Sequence, residues 1–440
     1  MPQTEQYVQG QLTTNIWDDI DADLRPEDWD TDVYEYTEFG DCPLTAIMDQ
    51  QPSGTVRSID VNWYEKPPWQ GEGTITDVYT DAGSTAYSSG QAAGTIVYLK
   101  VSASDANQAI VNNVWSVFHP TDPSKFFNIV IAAVDLTHPL GPFVIGKLTR
   151  TDAVNNVGSE ASPKWMATGD SQAESSELPG GTNYVPKKYE NQTEIIMAAA
   201  ETSGTDLHEL KRVDSVKFAE QVKEAYKRMR IRDERSKIFG SLYDDMINGK
   251  PRRFSRGLIE AIETYEPANI LNYATATGSE AWVGDDWLDG GMDFIDYINE
   301  EGAKYSTAQG KEWFVGNAAF TALNKLFREH GYTEIRTDQS RFGFRITTVV
   351  GFHQDMRLIR HPLMSRGILK NSAIVLETGL LSTPVLEGRG LTFVPGDKSS
   401  DGYSFVDGKK VGWYKESTLK WNNLASAYVL HGIGIDNDES

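Results

Sequence analysis

Residues 205–256 read TDLHELKRVDSVKFAEQVKEAYKRMRIRDERSKIFGSLYDDMINGKPRRFSR, and they form the one long stretch of helical periodicity in the chain. The apolar residues that recur at helical spacing are Val222, Tyr226, Met229, Ile238, Leu242 and Met246. Asp206 and Glu209 have the spacing of a capping box, and Asn248 followed by glycine supplies a stop signal. An unbroken helix over 214–248 would be about 50 Å long. The pattern therefore predicts a strut that joins two regions of different character.

The strut is basic, although the whole chain has a formal net charge of −22. Its candidate contact residues are Lys223, Lys227, Arg228, Arg230, Arg232 and Arg235. A run of charges is usually a solvated face. Alternatively, these side chains pair with carboxylates of a neighbouring copy of the chain, and the sequence leaves both interpretations open.

The first 42 residues are strongly acidic, with aromatic residues between the charges. The candidate contacts in this segment are Trp17, Asp19, Asp21, Asp23, Asp28 and Trp29. The aspartates at 19, 21 and 23 match the opening of a calcium loop, but Leu24 stands where that loop needs glycine and Asp30 replaces its glutamate. We therefore interpret residues 1–56 as an arm that lies on another protein surface.

The length and composition of the chain limit the classes of protein to which it can belong. A chain of 440 residues with 39% apolar and 24% charged residues is expected to fold into two to four domains. Cys42 is the single cysteine, which excludes an internal disulfide and a cysteine-built zinc site and indicates a reducing compartment. We expect no signal peptide and no membrane-spanning segment. The acidic balance disfavours sequence-specific binding to nucleic acid, because phosphate contacts dominate that affinity.

Residues 57–204 have a β-rich composition with loose Gly/Ser stretches. Three strands bounded by glycine and proline predict a small β module over about 92–150. Its expected core residues are Val97, Phe127, Ile129, Ile131, Val144 and Ile145. The flanking stretches predict an extended loop. One strand forms its outgoing limb, the module lies within it, and another strand forms its returning limb.

No catalytic, cofactor or metal site is predicted. The histidines contain no metal-binding pair at helical spacing, and no nucleophile elbow, phosphate loop or complete dinucleotide fingerprint occurs. With 63 acidic residues, neighbouring carboxylates are expected by chance.

Several segments resemble elements of the major capsid protein of tailed bacteriophages, which has the Hong Kong 97 fold. WFVGNAAFTALNKLFREHG at 313–331 is similar to its axial-domain strand and helix, and FGFRITTVVGFHQDMRLI at 342–359 to the following strand pair. TPVLEGRGLTFVPGD and TLKWNNLASAYVLHGI resemble its peripheral-domain strands, and NQTEIIMAAAETSGTD the returning limb of its extended loop.

The resemblance implies an α+β fold divided into five parts. These are an N-terminal arm (1–56), an extended loop with the inserted module (57–204), a spine helix (205–256), an axial domain (257–380) and peripheral-domain strands (381–435). An extended excursion and an acidic arm cannot bury enough surface alone, so each needs another subunit to lie on.

The resemblance also implies a structural, non-enzymatic protein of the virion, assembled in the host cytoplasm into an icosahedral head around the phage genome. Its expected partners are itself, in hexamers and pentamers, together with portal, scaffolding and decoration proteins and double-stranded DNA faced without sequence specificity. Two alternatives stay open. One is an encapsulin-type compartment shell, and the other is a β-rich carbohydrate-active hydrolase, suggested by 11 Trp and 19 Tyr.

Overall fold

The computed structural model describes residues 42–66, 71–83, 85–88, 90–151, 157, 162–175, 185–208, 218–278, 280–306, 308–331, 335–338, 346–351, 354–365, 367–395 and 408–437. The chain divides into two compact units. One comprises Met1–Trp63 with Lys188–Ser440, and the other is Tyr64–Lys187.

The described helices are α1 Pro43–Met48, α2 Ala103–Gln108, α3 Gly204–His208, α4 Phe218–Phe239, α5 Leu258–Tyr265, α6 Trp287–Ala303 and α7 Asn317–Glu329. The described strands up to the long helix are β1 Thr55–Val56, β2 Asp60–Glu65, β3 Glu72–Tyr79, β4 Ile96–Val101, β5 Asn113–Phe118, β6 Phe126–Asp135, β7 Phe143–Leu148, β8 Lys164–Asp170, β9 Lys187–Gln192 and β10 Glu194–Ser203.

The later strands are β11 Tyr243–Ile247, β12 Lys250–Phe254, β13 Ile270–Asn272, β14 Gly310–Val315, β15 Ile335–Asp338, β16 Ile346–Val349, β17 Asp355–Arg360, β18 Ala373–Leu376, β19 Leu381–Ser382, β20 Val385–Leu386, β21 Thr392–Val394, β22 Gly408–Ser417, β23 Lys420–Trp421 and β24 Tyr428–His431. Helices and strands are thus mixed along the chain, as the predicted α+β class requires.

The unit Tyr64–Lys187 contains a closed barrel of six strands in the order β3-β4-β7-β6-β5-β8. All neighbouring strands run antiparallel. Trp115 on β5 and Trp165 on β8 stack in the interior with ring centroids 3.8 Å apart. Five of the six predicted core residues are fully buried there, whereas Ile145 is half-buried.

The predicted bounds of this module, 92–150, are too narrow. β3 and β8 lie outside them, and the two strands pair with each other to close the barrel. Closure removes exposed strand edges, so neither strand can be left out of the folded unit. The Gly/Ser-rich stretch that follows β3 precedes β4, so it connects two paired strands of the barrel.

The larger unit is built on a sheet of seven strands in the order β13-β24-β18-β14-β17-β16-β15. Neighbouring residues of one strand enter different cores, because strand side chains alternate between faces. Phe314 contributes to the core that contains α1 and α5, whereas Trp313 contributes to the core that contains α6 and α7. Both faces are therefore covered, which explains the continuous apolar runs of β14, β18 and β24.

A second sheet of this unit has the order β1-β20-β22-β10, with β21 also paired to β22. β10 and β22 form a continuous antiparallel ladder from Glu194 opposite Ser417 to Ser203 opposite Gly408. The long helix α4 packs on this ladder through Ala225, which meets Ala200 and Val411.

The prediction that the helical pattern continues to residue 248 is wrong. α4 ends at Phe239, and β11 and β12 form a hairpin over 243–254. Asn248 and Gly249 have φ values of 51° and 75°, the left-handed geometry of a two-residue hairpin turn. Gly240 lies so close to the backbone oxygens of Ser236 and Ser255 that a side chain at 240 would clash with both. The start of the predicted helix, 209–217, lies outside the described residues.

The predicted boundary between axial and peripheral strands also needs correction. β24 lies inside the seven-stranded sheet, between β13 and β18, although 381–435 was predicted to form separate peripheral strands. The reason is burial, since Tyr428 and Leu430 enter the core on one face of that sheet and Val429 enters the core on the other.

We predict that a short Gly-Ser linker in place of residues 66–186 leaves the larger unit folded, because its sheets and cores are complete without the barrel. Removal of 92–150 alone is expected to cause aggregation, because β3 and β8 then expose Ile75 and Trp165. Near-ultraviolet circular dichroism and size-exclusion chromatography distinguish the two outcomes. Unfolding of the 66–186 replacement would show that the units do not fold independently.

Candidate functional site on the long helix

The predicted contacts of the acidic arm are Trp17, Asp19, Asp21, Asp23, Asp28 and Trp29, and they lie outside the described residues. The predicted basic contacts lie on α4, whose side chains from Phe218 onward are described. The structure therefore shows only the basic side of the expected contact.

The basic side chains on the outer face of α4 have partners within the chain. Lys223 pairs with Glu220 at 2.7 Å, and Arg228 approaches Glu224 at 4.0 Å. Such exposed pairs contribute about 0–1 kcal/mol each, so exchanging them for contacts with another surface costs little.

Two further arginines reach outside the helix. Arg230 pairs with Asp49 at 3.3 Å, and Arg232 donates to the backbone oxygen of Met197 at 3.2 Å. Lys227 and Arg235 are exposed on the same helix. The structure thus gathers the six predicted basic residues on one helix.

Sequence reasoning missed the buried charges of α4. Asp233, Glu234 and Lys237 are each at most 5% exposed. The available signal was their spacing, because Asp233 and Lys237 follow Met229 at intervals of four and therefore fall on the apolar stripe. Charges on that stripe must be paired, since an isolated buried charge is very costly.

Glu234 on α4 binds the first turn of α1, although the two are far apart in the sequence. Its Oε1 accepts from the backbone N–H of Leu44 at 2.9 Å, and its Oε2 accepts from the backbone N–H of Thr45 at 2.7 Å and from the Thr45 hydroxyl. His361, which is fully buried, lies with its Nε2 2.9 Å from the same carboxylate. One side chain thus caps α1 and joins it to the segment that follows β17.

The pKa of Glu234 is lowered from its ordinary value of 4.5. Burial alone would raise it, but hydrogen bonding and charge from His361 and the donors of Thr45 outweigh burial. The carboxylate is therefore ionised at neutral pH, as its acceptor role requires.

Asp233 forms a second buried cluster beside the first. It accepts from Lys237 at 2.5 Å and from Lys415 of β22 at 3.1 Å. Burial opposes ionisation of Asp233, but the two ammonium groups lower its pKa below 3.8, whereas burial lowers the pKa of Lys237. This cluster ties α4 to the β10–β22 ladder.

Glu194 is a contrasting carboxylate at the start of β10. It accepts a hydrogen bond from the hydroxyl of Ser236 on α4. Burial raises the pKa of Glu194, and the nearby charge of Asp233 adds to this effect. Glu194 thus holds its proton more tightly in the folded protein than in water.

Among the described residues, no group of three or more His, Cys, Asp or Glu side chains is arranged to hold a metal ion. The described helices include none that is long and apolar enough to span a membrane. The charged groups around α4 fix four chain segments to that helix, namely α1, the segment at His361, β22 and the start of β10.

We predict that Glu234→Ala destabilises the unassembled subunit by about 3–5 kcal/mol, because it leaves buried donors of Leu44, Thr45 and His361 without their acceptor. Glu224→Ala is the matched control on the exposed face of α4, where the change is expected to be about 0.5 kcal/mol or less. Denaturant unfolding measures both. Equal effects would contradict the assigned role of Glu234.

The two glutamates predict opposite pH responses. Because its folded pKa is lowered, the Glu234 contribution to stability is present above pH 4.5 and is lost as the pH falls through the folded pKa. Because its folded pKa is raised, ionising Glu194 costs stability as the pH rises through that value.

Glu194→Gln should therefore preserve or increase the stability of the subunit at pH 7, whereas Glu234→Gln should decrease that stability and weaken its dependence on acid pH. Thermal unfolding from pH 3.5 to 8 tests this, and a stability loss for Glu194→Gln equal to that for Glu234→Gln would be contrary to expectation.

Comparisons with known proteins match nearly the full length of the chain. A family model described as the SU10 major capsid protein matches residues 12–434. No curated protein sequence matches significantly. A solved chain of Mycobacterium phage Bobi is 8% identical, with 96% of this chain and 99% of that chain covered and a TM-score of 0.45.

Two other solved structures are also similar. A chain of Mycobacterium phage Adephagia is 8% identical, with 96% and 98% coverage and a TM-score of 0.41. A chain of the holo-SrpI encapsulin complex from Synechococcus elongatus is 15% identical, with 57% and 78% coverage and a TM-score of 0.37.

The identification follows from the family match, which spans nearly the full length. It confirms the predicted resemblance to phage major capsid proteins and the Hong Kong 97-type α+β class, and it favours a structural shell protein of the virion over the encapsulin-type and hydrolase alternatives. The chain belongs to the SU10 major capsid protein family.

Proposed function

We propose that copies of this chain assemble into hexamers and pentamers, which build an icosahedral head around a double-stranded DNA genome. The observation that carries this proposal is the family match over 12–434. Closed rings of identical copies make head-to-tail contacts, so each subunit presents two different surfaces to its neighbours.

The genome is faced without sequence specificity. A net charge of −22 opposes the dense phosphate contacts on which tight DNA binding depends. Portal, scaffolding and decoration proteins are the further partners of such a head, and assembly takes place in the host cytoplasm, which suits a chain with a single cysteine.

The acidic segment 1–42 docks on the basic outer face of α4, in the same or a neighbouring subunit. Opposite charge supports this pairing, because the cations of Lys223, Lys227, Arg228 and Arg235 are all exposed on this helix. A charge-independent alternative is that Trp17 and Trp29 anchor the segment by burial.

We predict that the purified protein forms closed shells visible by electron microscopy. Changing Asp19, Asp21, Asp23 and Asp28 together to Lys should reduce shell yield, most strongly at low salt, where charges are least screened. Adding Lys227→Glu and Arg235→Glu to that variant should restore part of the yield, because opposite charges then meet again.

The tryptophans provide the control. If Trp17→Ala with Trp29→Ala abolishes shells while the charge reversal does not, the segment is held by apolar burial. Sedimentation showing only species smaller than a pentamer for the wild-type protein would contradict assembly itself.

A further inference from the structure

Asn248 and Gly249 form the turn of the hairpin β11–β12, and both residues are exposed. Asn248 is the one asparagine in the chain that is followed by glycine. The ladder of the hairpin ends with Ile247 opposite Lys250, so the backbone N–H of Gly249 lies in the turn, outside the ladder. The side-chain amide of Asn248 and the backbone nitrogen of Gly249 are therefore neighbours along the chain and accessible to water.

Glycine leaves that backbone nitrogen unhindered. Gly249 has no side chain, and no heavy atom outside the adjoining residues lies within 4 Å of the position that a Cβ would take. Every other asparagine in the chain precedes a residue that carries a Cβ. Asn248 thus offers its side-chain carbonyl carbon to the least hindered backbone nitrogen available to any asparagine of this protein.

The hairpin is an element that can open locally. Its two strands pair with each other and with no other described strand. A two-stranded hairpin is only marginally stable in water, and elements with few tertiary contacts open more often than the core. Opening matters here, because a ring that joins the Asn248 side chain to the next nitrogen requires residue 248 to leave its left-handed turn geometry.

We propose that Asn248 is a site of spontaneous deamidation. The backbone nitrogen of Gly249 bonds to Cγ of Asn248, and the bond from Cγ to Nδ2 breaks. The proton of that backbone nitrogen leaves with the amide group, so ammonia is released and a five-membered succinimide remains. Water is the co-reactant of the second step. Its addition at Cγ gives aspartate at position 248, and its addition at the backbone carbonyl carbon gives isoaspartate.

The two products affect the hairpin differently. Aspartate keeps the backbone unchanged and accepts the left-handed conformation as asparagine does, so the turn persists with one added negative charge beside Lys250. Isoaspartate carries the backbone through its side chain, which lengthens the loop by one carbon. A two-residue turn of that length cannot hold Ile247 opposite Lys250, so the hairpin register is lost. The inference concerns the subunit alone and does not depend on the proposed function.

Ageing of the purified, unassembled protein at mildly alkaline pH tests the proposal, because base promotes ring closure. Peptide mass spectrometry should show conversion of Asn248 roughly tenfold or more faster than that of two internal controls. Asn112 has a similar left-handed φ of 71° but is followed by Asn113, and the exposed Asn422 is followed by Asn423. Isoaspartyl methyltransferase then detects isoaspartate, which direct hydrolysis of the side-chain amide cannot form.

Two variants separate the reaction from the fold. Asn248→Gly is the matched control, because glycine adopts the left-handed turn without strain and has no amide to lose. Asn248→Asp reproduces the first product and should leave the circular dichroism and melting of freshly purified protein unchanged. Limited proteolysis within 243–254 should increase with the age of the wild-type protein but not with the age of Asn248→Gly.

Conversion of Asn248 no faster than that of Asn112 and Asn422 would overturn the proposal, and so would conversion without isoaspartate. Proteolysis that increases equally in aged Asn248→Gly would overturn the link between isoaspartate and the opened hairpin. All of these measurements are made on unassembled protein, so failure of shell formation leaves their outcome unaffected.

Discussion

The larger unit depends on one buried carboxylate. Glu234 is fully buried, and its bonds go to the first turn of α1 and to His361 beyond β17. A buried charge is tolerated only where every lone pair finds a donor, so these segments can take only one arrangement around the helix. The adjacent Asp233 binds Lys415 of β22 in the same way. Two consecutive carboxylates thus connect one helix to both sheets, because β17 lies in the seven-stranded sheet and β22 in the other.

The charges of α4 therefore fall into two groups with different roles. Its inner face holds charges whose partners are fixed by burial, and these determine the subunit fold. Its outer face holds charges in exposed pairs, such as that of Lys223 with Glu220, which contribute little to folding. The proposed docking of the acidic segment on α4 needs this separation, because the outer charges must exchange partners without loosening the subunit.

The apolar pattern and the local signals of the sequence predicted some elements correctly and one segment wrongly. The strand and helix at 310–329 were expected from the resemblance of 313–331 to the axial-domain strand and helix, and the structure has both. The hairpin over 243–254 was missed, because Leu242 and Met246 continue the helical spacing by coincidence and Asn248 with Gly249 ends a helix as well as it turns a hairpin. The buried ion pairs were missed because the run of charges and the apolar stripe overlap on the same helix. Which of those charges are buried depends on the packing of segments that are distant in the sequence.

The placement of β24 affects how the chain is made. The seven-stranded sheet lacks an internal strand until Tyr428–His431 is available, because β24 lies between β13 and β18, and the other sheet lacks β22 until Gly408–Ser417 is available. The barrel, by contrast, is complete once residue 170 has been synthesised. On the ribosome the barrel can therefore fold early, whereas the larger unit stays open until β24 has been synthesised. A nascent chain that has not yet reached β24 thus carries a complete barrel but an unfinished larger unit, so the surfaces of that unit are not yet available to its neighbours.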